Sequence, residues 1–194
     1  MPDFILYKPY GYLSQFVNNQ NKRKNKKLLG ELYDFPEGCM SIGRLDEKSE
    51  GLLMITTDGV TSARVRSKKV EKEYWAEVDG IVDKNAITLL LTSVTISVDK
   101  EEFKCKAVAA TIIEKPLEIE KRFVREERHG PTSWISITLN EGKFRQVRKM
   151  TAAVGLPTLR LVRYRIGEVT LAGLESGKVL PVKLTVIENK VTIT

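Results

Sequence analysis

The chain is poor in the residues that build metal centres and charge-relay sites. Among its 194 residues there is one histidine, His129, and there are two cysteines, Cys39 and Cys105, far apart in sequence. No Cys-x-x-Cys or His-x-x-x-His spacing occurs, so the sequence offers no ligand set for a metal. A serine–histidine relay would rest on His129 alone, which follows Arg128 in a polar loop. No run approaches the roughly 18 apolar residues that a membrane span needs. The N-terminus, Met1-Pro2-Asp3, lacks the basic-then-apolar pattern of a secretory signal. These absences predict a cytoplasmic protein with reduced thiols and no membrane partner. No repeat, linker or low-complexity block interrupts the chain, so one domain over 1–194, made of two closely joined lobes, is expected.

What is abundant is positive charge. Lysine plus arginine number 32 against 25 acids, a net +7, and the 42% apolar fraction supports a packed core. The cations cluster at Lys22–Lys27, at Arg64–Lys69, at Arg122, Arg125 and Arg128, and from Lys143 through Arg148 to Arg165. Each cluster alone describes a solvated face; four on one small chain point to a polyanion such as nucleic acid.

Along the chain, Phe4–Tyr7 reads as a strand, Leu13–Val17 as a second, and Asn18–Lys27 as an exposed basic loop. Leu28, Leu29, Leu32 and Tyr33 have helical spacing. In Gly43-Arg44-Leu45-Asp46-Glu47-Lys48-Ser49-Glu50-Gly51-Leu52-Leu53-Met54-Ile55 a polar loop carrying a carboxylate runs into a buried strand. A carboxylate held there beside a cation can serve as nucleophile or base. The same pattern also describes a surface turn with a solvated ion pair. Asp58 reads as the N-cap of a helix, Glu73–Val78 as a strand, Asp83–Leu91 as a helix, and Val94–Val98 and Cys105–Glu114 as strands. Pro116–Pro131 is charged and irregular. Ser133–Leu139 alternates as a strand should, and Lys143–Val154 reads as a helix with Val147, Met150 and Val154 facing the core. On that helix Arg145 and Arg148 share another face, where they could meet an anion. Thr158–Tyr164 is a strand, followed by one or two more. The fold class is α+β with much mostly antiparallel sheet.

Six segments carry a resemblance: Lys8-Pro9-Tyr10-Gly11; Gly43-Arg44-Leu45-Asp46 with Gly51-Leu52-Leu53; Lys72-Glu73-Tyr74; Pro131-Thr132-Ser133-Trp134; Glu141-Gly142-Lys143-Phe144-Arg145-Gln146-Val147-Arg148-Lys149-Met150; and Leu159-Arg160-Leu161-Val162-Arg163. In this order they resemble the pseudouridine synthases of the RsuA/RluE type over nearly the whole chain. Ser49 stands where threonine is commoner, and Phe144 where a polar residue is. Many RsuA-type relatives carry an N-terminal S4 RNA-binding domain, and none is expected here.

The resemblance implies the family's catalytic fold, a long, bent, mostly antiparallel sheet with flanking helices and a central cleft. It implies isomerisation of a uridine in ribosomal RNA, that of the large subunit, without metal or cofactor. The implied substrate is a stem-loop with an everted uridine, bound by a monomer. Asp46 is then the catalytic carboxylate, either attacking C1′ or removing a C2′ proton, and Arg148 keeps it ionised. Tyr74 stacks on the uracil and assists the final deprotonation at C5. Arg44 takes the everted base's place in the RNA stack, and Leu161, with Leu159 the alternative, walls the loosened base. Arg145 and Arg163 contact RNA; Lys8 either does so or braces the Asp46 loop from behind. Outside that context Tyr74 is an ordinary strand aromatic and Leu161 an ordinary core residue. Two rival classes remain at this stage: a non-catalytic RNA-binding factor, which would not need Asp46, Tyr74 and Arg148 together, and a hydrolase, which would want a histidine pair or clustered carboxylates.

Overall fold

The computed structural model describes residues 2–17 and 25–194. In chain order its elements are β1 (Asp3–Lys8), β2 (Met40–Ser41), β3 (Glu50–Thr56), α1 (Gly59–Arg66), β4 (Lys72–Asp79), α2 (Lys84–Thr92), β5 (Val94–Val98) and β6 (Glu101–Cys105). There follow β7 (Ala109–Ile113), β8 (Thr132–Leu139), α3 (Gln146–Ala153), β9 (Thr158–Ile166), β10 (Val169–Thr170), β11 (Val179–Val182), β12 (Leu184–Ile187) and β13 (Lys190–Ile193). The chain divides into two units, Met1–Val70 with Arg163–Thr194, and Glu71–Val162, so β9 begins in the second and ends in the first.

In the first unit, β3 is the apolar run that follows the Asp46 loop, and all seven of its residues are buried. A strand covered on both faces needs continuous apolar character, not alternation, and Gly51–Ile55 supplies it. It pairs antiparallel with β1, Phe4 opposite Ile55 through Lys8 opposite Gly51, and β1 pairs in turn with β11. Phe4, Leu6, Leu29, Leu53 and Ile55 form one core cluster, with Phe35 edge-on to Phe4 at 5.3 Å between ring centroids. Burying each such side chain is worth about 1.5–3 kcal/mol. Asp58 caps α1 as expected, its carboxylate accepting from the amides of Val60 and Thr61.

In the second unit, β4 and β8 pair antiparallel over eight residues, from Lys72 opposite Leu139 to Asp79 opposite Thr132, and β7 pairs with β8 on its other side. Period-two alternation gives this sheet two faces. Ala76, Val78, Ile135 and Ile137 pack with Leu90 of α2, Val147 and Met150 of α3, and Leu161 of β9. Glu73, Trp75 and Glu77 occupy the alternate positions of β4, where Trp75 Nε1 and Ser136 Oγ both donate to Glu73 Oε1 at 2.9 Å. Asp83 caps α2 by accepting from the amide of Ala86 at 2.7 Å.

Several expected elements differ. Leu13–Val17 forms no strand: its backbone bonds run singly, Leu13 N–H to Lys27 and Leu29 N–H to Gln15, so no ladder develops. The helical spacing at Leu28–Tyr33 yields only a 3₁₀ turn, Leu29–Glu31. Of the expected loop 18–27, residues 18–24 lie outside the described residues. The single strand expected over Cys105–Glu114 is two strands, because the chain changes partner there: β6 pairs with β5, and β7 with β8. Helix α3 starts at Gln146, three residues later than expected, because Arg145 before it takes φ +53° and the Gln146 side chain accepts from the Lys143 amide. Beyond Gly167 there are four short strands where one or two were expected.

Gly51 needs to be glycine. Its φ is +107°, and a Cβ there would lie 2.4 Å from the carbonyl oxygen of Arg163. Neither backbone can retreat cheaply, since both are buried. Gly51→Ala is expected to cost about 3 kcal/mol or more, read as a lowered urea midpoint. A midpoint within error of wild type would show that the two backbones can part.

Candidate active site

Lys8, Arg44, Asp46 and Arg163 belong to the first unit, and Tyr74, Arg145, Arg148 and Leu161 to the second. In the first unit the loop before β3 is fastened from below. Ser14 Oγ accepts from the Leu45 amide at 2.9 Å and donates to the Leu45 carbonyl at 3.0 Å. That two-point clamp grips the residue immediately before Asp46. On the other side, the Ser49 amide donates to the Asp46 carbonyl at 3.0 Å, and the Gly11 amide to the Glu47 carbonyl at 2.8 Å. The Lys26 ammonium pairs with Glu47. Asp46 is half-buried, while Arg44, two residues earlier, is exposed.

Lys8 ends β1 with its side chain fully buried, and its ammonium donates to the carbonyls of Tyr12 at 2.6 Å and Pro9 at 2.9 Å. Burial lowers its pKa from 10.5 to about 8, and Arg163 adds to the lowering, while Glu50, Asp46 and Glu47 in that order oppose it. Lys8, Asp46 and Arg163 therefore share one neighbourhood with two further carboxylates. Arg163 is buried, donates from Nε to the Leu52 carbonyl at 2.8 Å, and has a buried Nη2 with no hydrogen-bond partner among the described residues. A buried guanidinium nitrogen in that state is a donor held ready for an acceptor.

In the second unit, Tyr74 is half-buried on β4 and packs against the cluster that contains Leu161, which is itself buried. Arg148 is half-buried on α3 and donates to the Thr158 carbonyl at 3.1 Å. Arg145 does not share a helix face with Arg148: it is the residue that caps α3, exposed and outside the helix. Beside it Phe144 is exposed, with the Lys149 ammonium 5.2 Å from the ring centroid. Among the described residues no group of three or more His, Cys, Asp or Glu is placed to hold a metal ion.

The Ser14 clamp was missed from sequence, and no local signal marks it, because serine in a short apolar–polar stretch is unremarkable. The buried Glu50 was missed too. It sits at the polar-to-apolar boundary where exposure is the ordinary expectation.

Residues 4–153 match the family model described as RNA pseudouridylate synthase. The chain is 38% identical over 90% of its length to the ribosomal large subunit pseudouridine synthase E of Vibrio parahaemolyticus, covering 71% of that protein. It is 37% identical, again over 90%, to the protein of the same name from Xanthomonas campestris pv. campestris, covering 91% of it. Among solved structures, a pseudouridylate synthase superposes with a TM-score of 0.69 at 26% identity, spanning 93% of this chain and 69% of that one. The α+β pseudouridine synthase fold read from the motifs is thus the fold observed. On these matches the chain belongs to the RNA pseudouridylate synthase family.

Proposed function

We propose that this isomerase converts a uridine of large-subunit ribosomal RNA to pseudouridine, with Asp46 as the reacting carboxylate. The observation that carries the substrate is the likeness, over nine-tenths of the chain, to relatives named for the large ribosomal subunit. The reaction breaks the N1–C1′ bond, turns the uracil, forms C5–C1′, and moves the C5 proton to solvent while N1 takes one up. No atom is gained or lost overall, so nothing beyond positioned side chains is asked of the protein.

Asp46 suits its role because the backbone on both sides of it is tied down, which holds the carboxylate in place before substrate arrives. Arg148 is the cation that the family resemblance assigns to Asp46, Tyr74 the aromatic that stacks on the uracil, and Leu161 the apolar wall. Arg44, exposed next to a buried and clamped Leu45, is suited to replace the everted base in a stem-loop, since a guanidinium plane stacks and hydrogen-bonds at once. Arg145 and Arg163 complete the RNA-contacting set. Lys8 acts on the Asp46 loop through the Tyr12 and Pro9 carbonyls and its field, as a positioning residue. The working form in this reading is a cytoplasmic monomer.

Wild type is expected to release tritium from C5-labelled uridine in large-subunit ribosomal RNA, and Asp46→Asn to lower that rate by about a thousand-fold or more. No release by wild type from any ribosomal RNA would sink the isomerase on this substrate, and wild-type release by Asp46→Asn would remove Asp46 from the chemistry.

Lys8 makes a second prediction. Between about 8 and its ordinary 10.5 the unfolded chain holds the proton and the folded chain does not. The Lys8 contribution to stability therefore rises with pH across that window and is lower by a constant amount beneath it, on the order of 3 kcal/mol in all. The difference in unfolding free energy between wild type and Lys8→Met should climb over the window; a flat difference would contradict the lowered pKa.

A further inference from the structure

The charged 115–131 segment borders a half-open cavity of about 830 Å³ inside the second unit. Its strand residues are Glu77 of β4, Thr132 and Trp134 of β8, and Arg160 of β9. Glu77 stands opposite Trp134 in the ladder, while their neighbours Ala76, Val78 and Ile135 belong to the core cluster that Tyr74 joins. By strand alternation the cavity lies on the face of the sheet away from Tyr74. It is therefore separate from the aromatic assigned to the reacting uracil.

Its chemistry is that of an anion site with an aromatic edge. Five cations, Lys115, Lys121, Arg122, Arg125 and Arg160, meet three lining carboxylates, Glu77, Glu120 and Glu126, and a fourth, Asp79, that pairs with Arg125, which leaves a small excess of positive charge. Arg160 is only 3% exposed, so part of that charge is fixed in the protein. Arg125 is anchored through Nη2 to Asp79 at 2.7 Å and to the carbonyls of Pro131 at 3.2 Å and Gly130 at 3.3 Å. Its buried Nε makes no hydrogen bond among the described residues, leaving a donor to spare. Trp134 and Ile119 give buried apolar lining, but Phe123 is 75% exposed between Arg122 and Arg125. An aromatic left in water among cations is the pattern that stacks on an unpaired base while neighbours take the phosphate. The volume falls in the range of sites that enclose small organic groups, ample for a nucleotide.

We infer that this cavity holds one unpaired nucleotide of the RNA substrate other than the reacting uridine, its base on Phe123 and its phosphate against Lys121, Arg122 and Arg125. The inference rests on the reading that the chain acts on RNA. It gives the protein a second reading point, on the opposite sheet face, through which a target is recognised.

The test is binding of a fluorescently labelled ribosomal RNA stem-loop to the full chain, followed by single-turnover tritium release at saturating protein. Phe123→Ala should raise Kd by roughly ten-fold, the worth of one base–aromatic stack. The double variant Lys121→Gln with Arg122→Gln should reduce the slope of log K against log salt by about one. Both should leave the saturating rate within about two-fold of wild type, because neither lies on the Tyr74 face; thermal midpoints confirm that each folds. Unchanged Kd and salt slope in both variants would overturn the inference, as would an equal loss of affinity for a fully paired duplex. Binding needs no turnover, so a wild type that binds this RNA without releasing tritium would sink the isomerase reading alone, with Kd still deciding the cavity.

Discussion

The first unit is organised by an approach between two backbones that leaves no room for a methyl group. At Gly51 the first residues of β3 press against the carbonyl of Arg163, and the positive φ there is tolerated because glycine has no Cβ. Three features meet at this point. Lys8 lies opposite Gly51 in the β1–β3 ladder, the Arg163 guanidinium bonds the Leu52 carbonyl, and the Asp46 loop enters β3 just before it. The carboxylate thus takes its position from a strand buried over its whole length. Any displacement of β3 would be transmitted to Asp46 through a loop clamped at Leu45.

Electrostatics at the same point are balanced, not relaxed. Lys8 is removed from water with its ammonium on two backbone carbonyls, and three carboxylates and an arginine act on it at once. Leaving an ammonium buried costs free energy, which shows as a lowered pKa. What is obtained is a fixed cation behind the loop, with the Tyr12 and Pro9 carbonyls bound to it. A solvated lysine could supply charge, but not a fixed position for the segment between Pro9 and Tyr12.

Much of this was legible in the residues. Continuous apolar character made β3 a buried strand, alternation gave β4 and β8, and Asp58 announced α1 through its capping chemistry. The motif order gave the family. What escaped depended on tertiary partners. The split of the Cys105–Glu114 run follows from which strand each half pairs with, and periodicity carries no information on partners. The late start of α3 depends on Arg145 adopting a left-handed conformation that few would assign to an arginine. The Ser14 clamp joins positions 31 residues apart through one hydroxyl. Within Asp46's own unit the charges that face Lys8 include Asp46 and Arg163, a grouping that neither spacing nor composition discloses.

The two-faced pairing of β4 with β8 bears on how this scaffold can diverge. Inserting or deleting one residue inside β4 would exchange Tyr74 and Trp75 between faces and move Glu77 into the apolar core, so the length of this strand is frozen. The 115–131 segment is under no such restriction. It is tied to the sheet near its end, where Arg125 bonds Asp79, Gly130 and Pro131, and it can grow or shrink between there and β7 without altering the strand ladder. With the proposed roles of Tyr74 and of the 115–131 cavity, reaction and recognition lie on separately mutable parts of one sheet, and a lineage could change its target by indels on one face while the other stays constant.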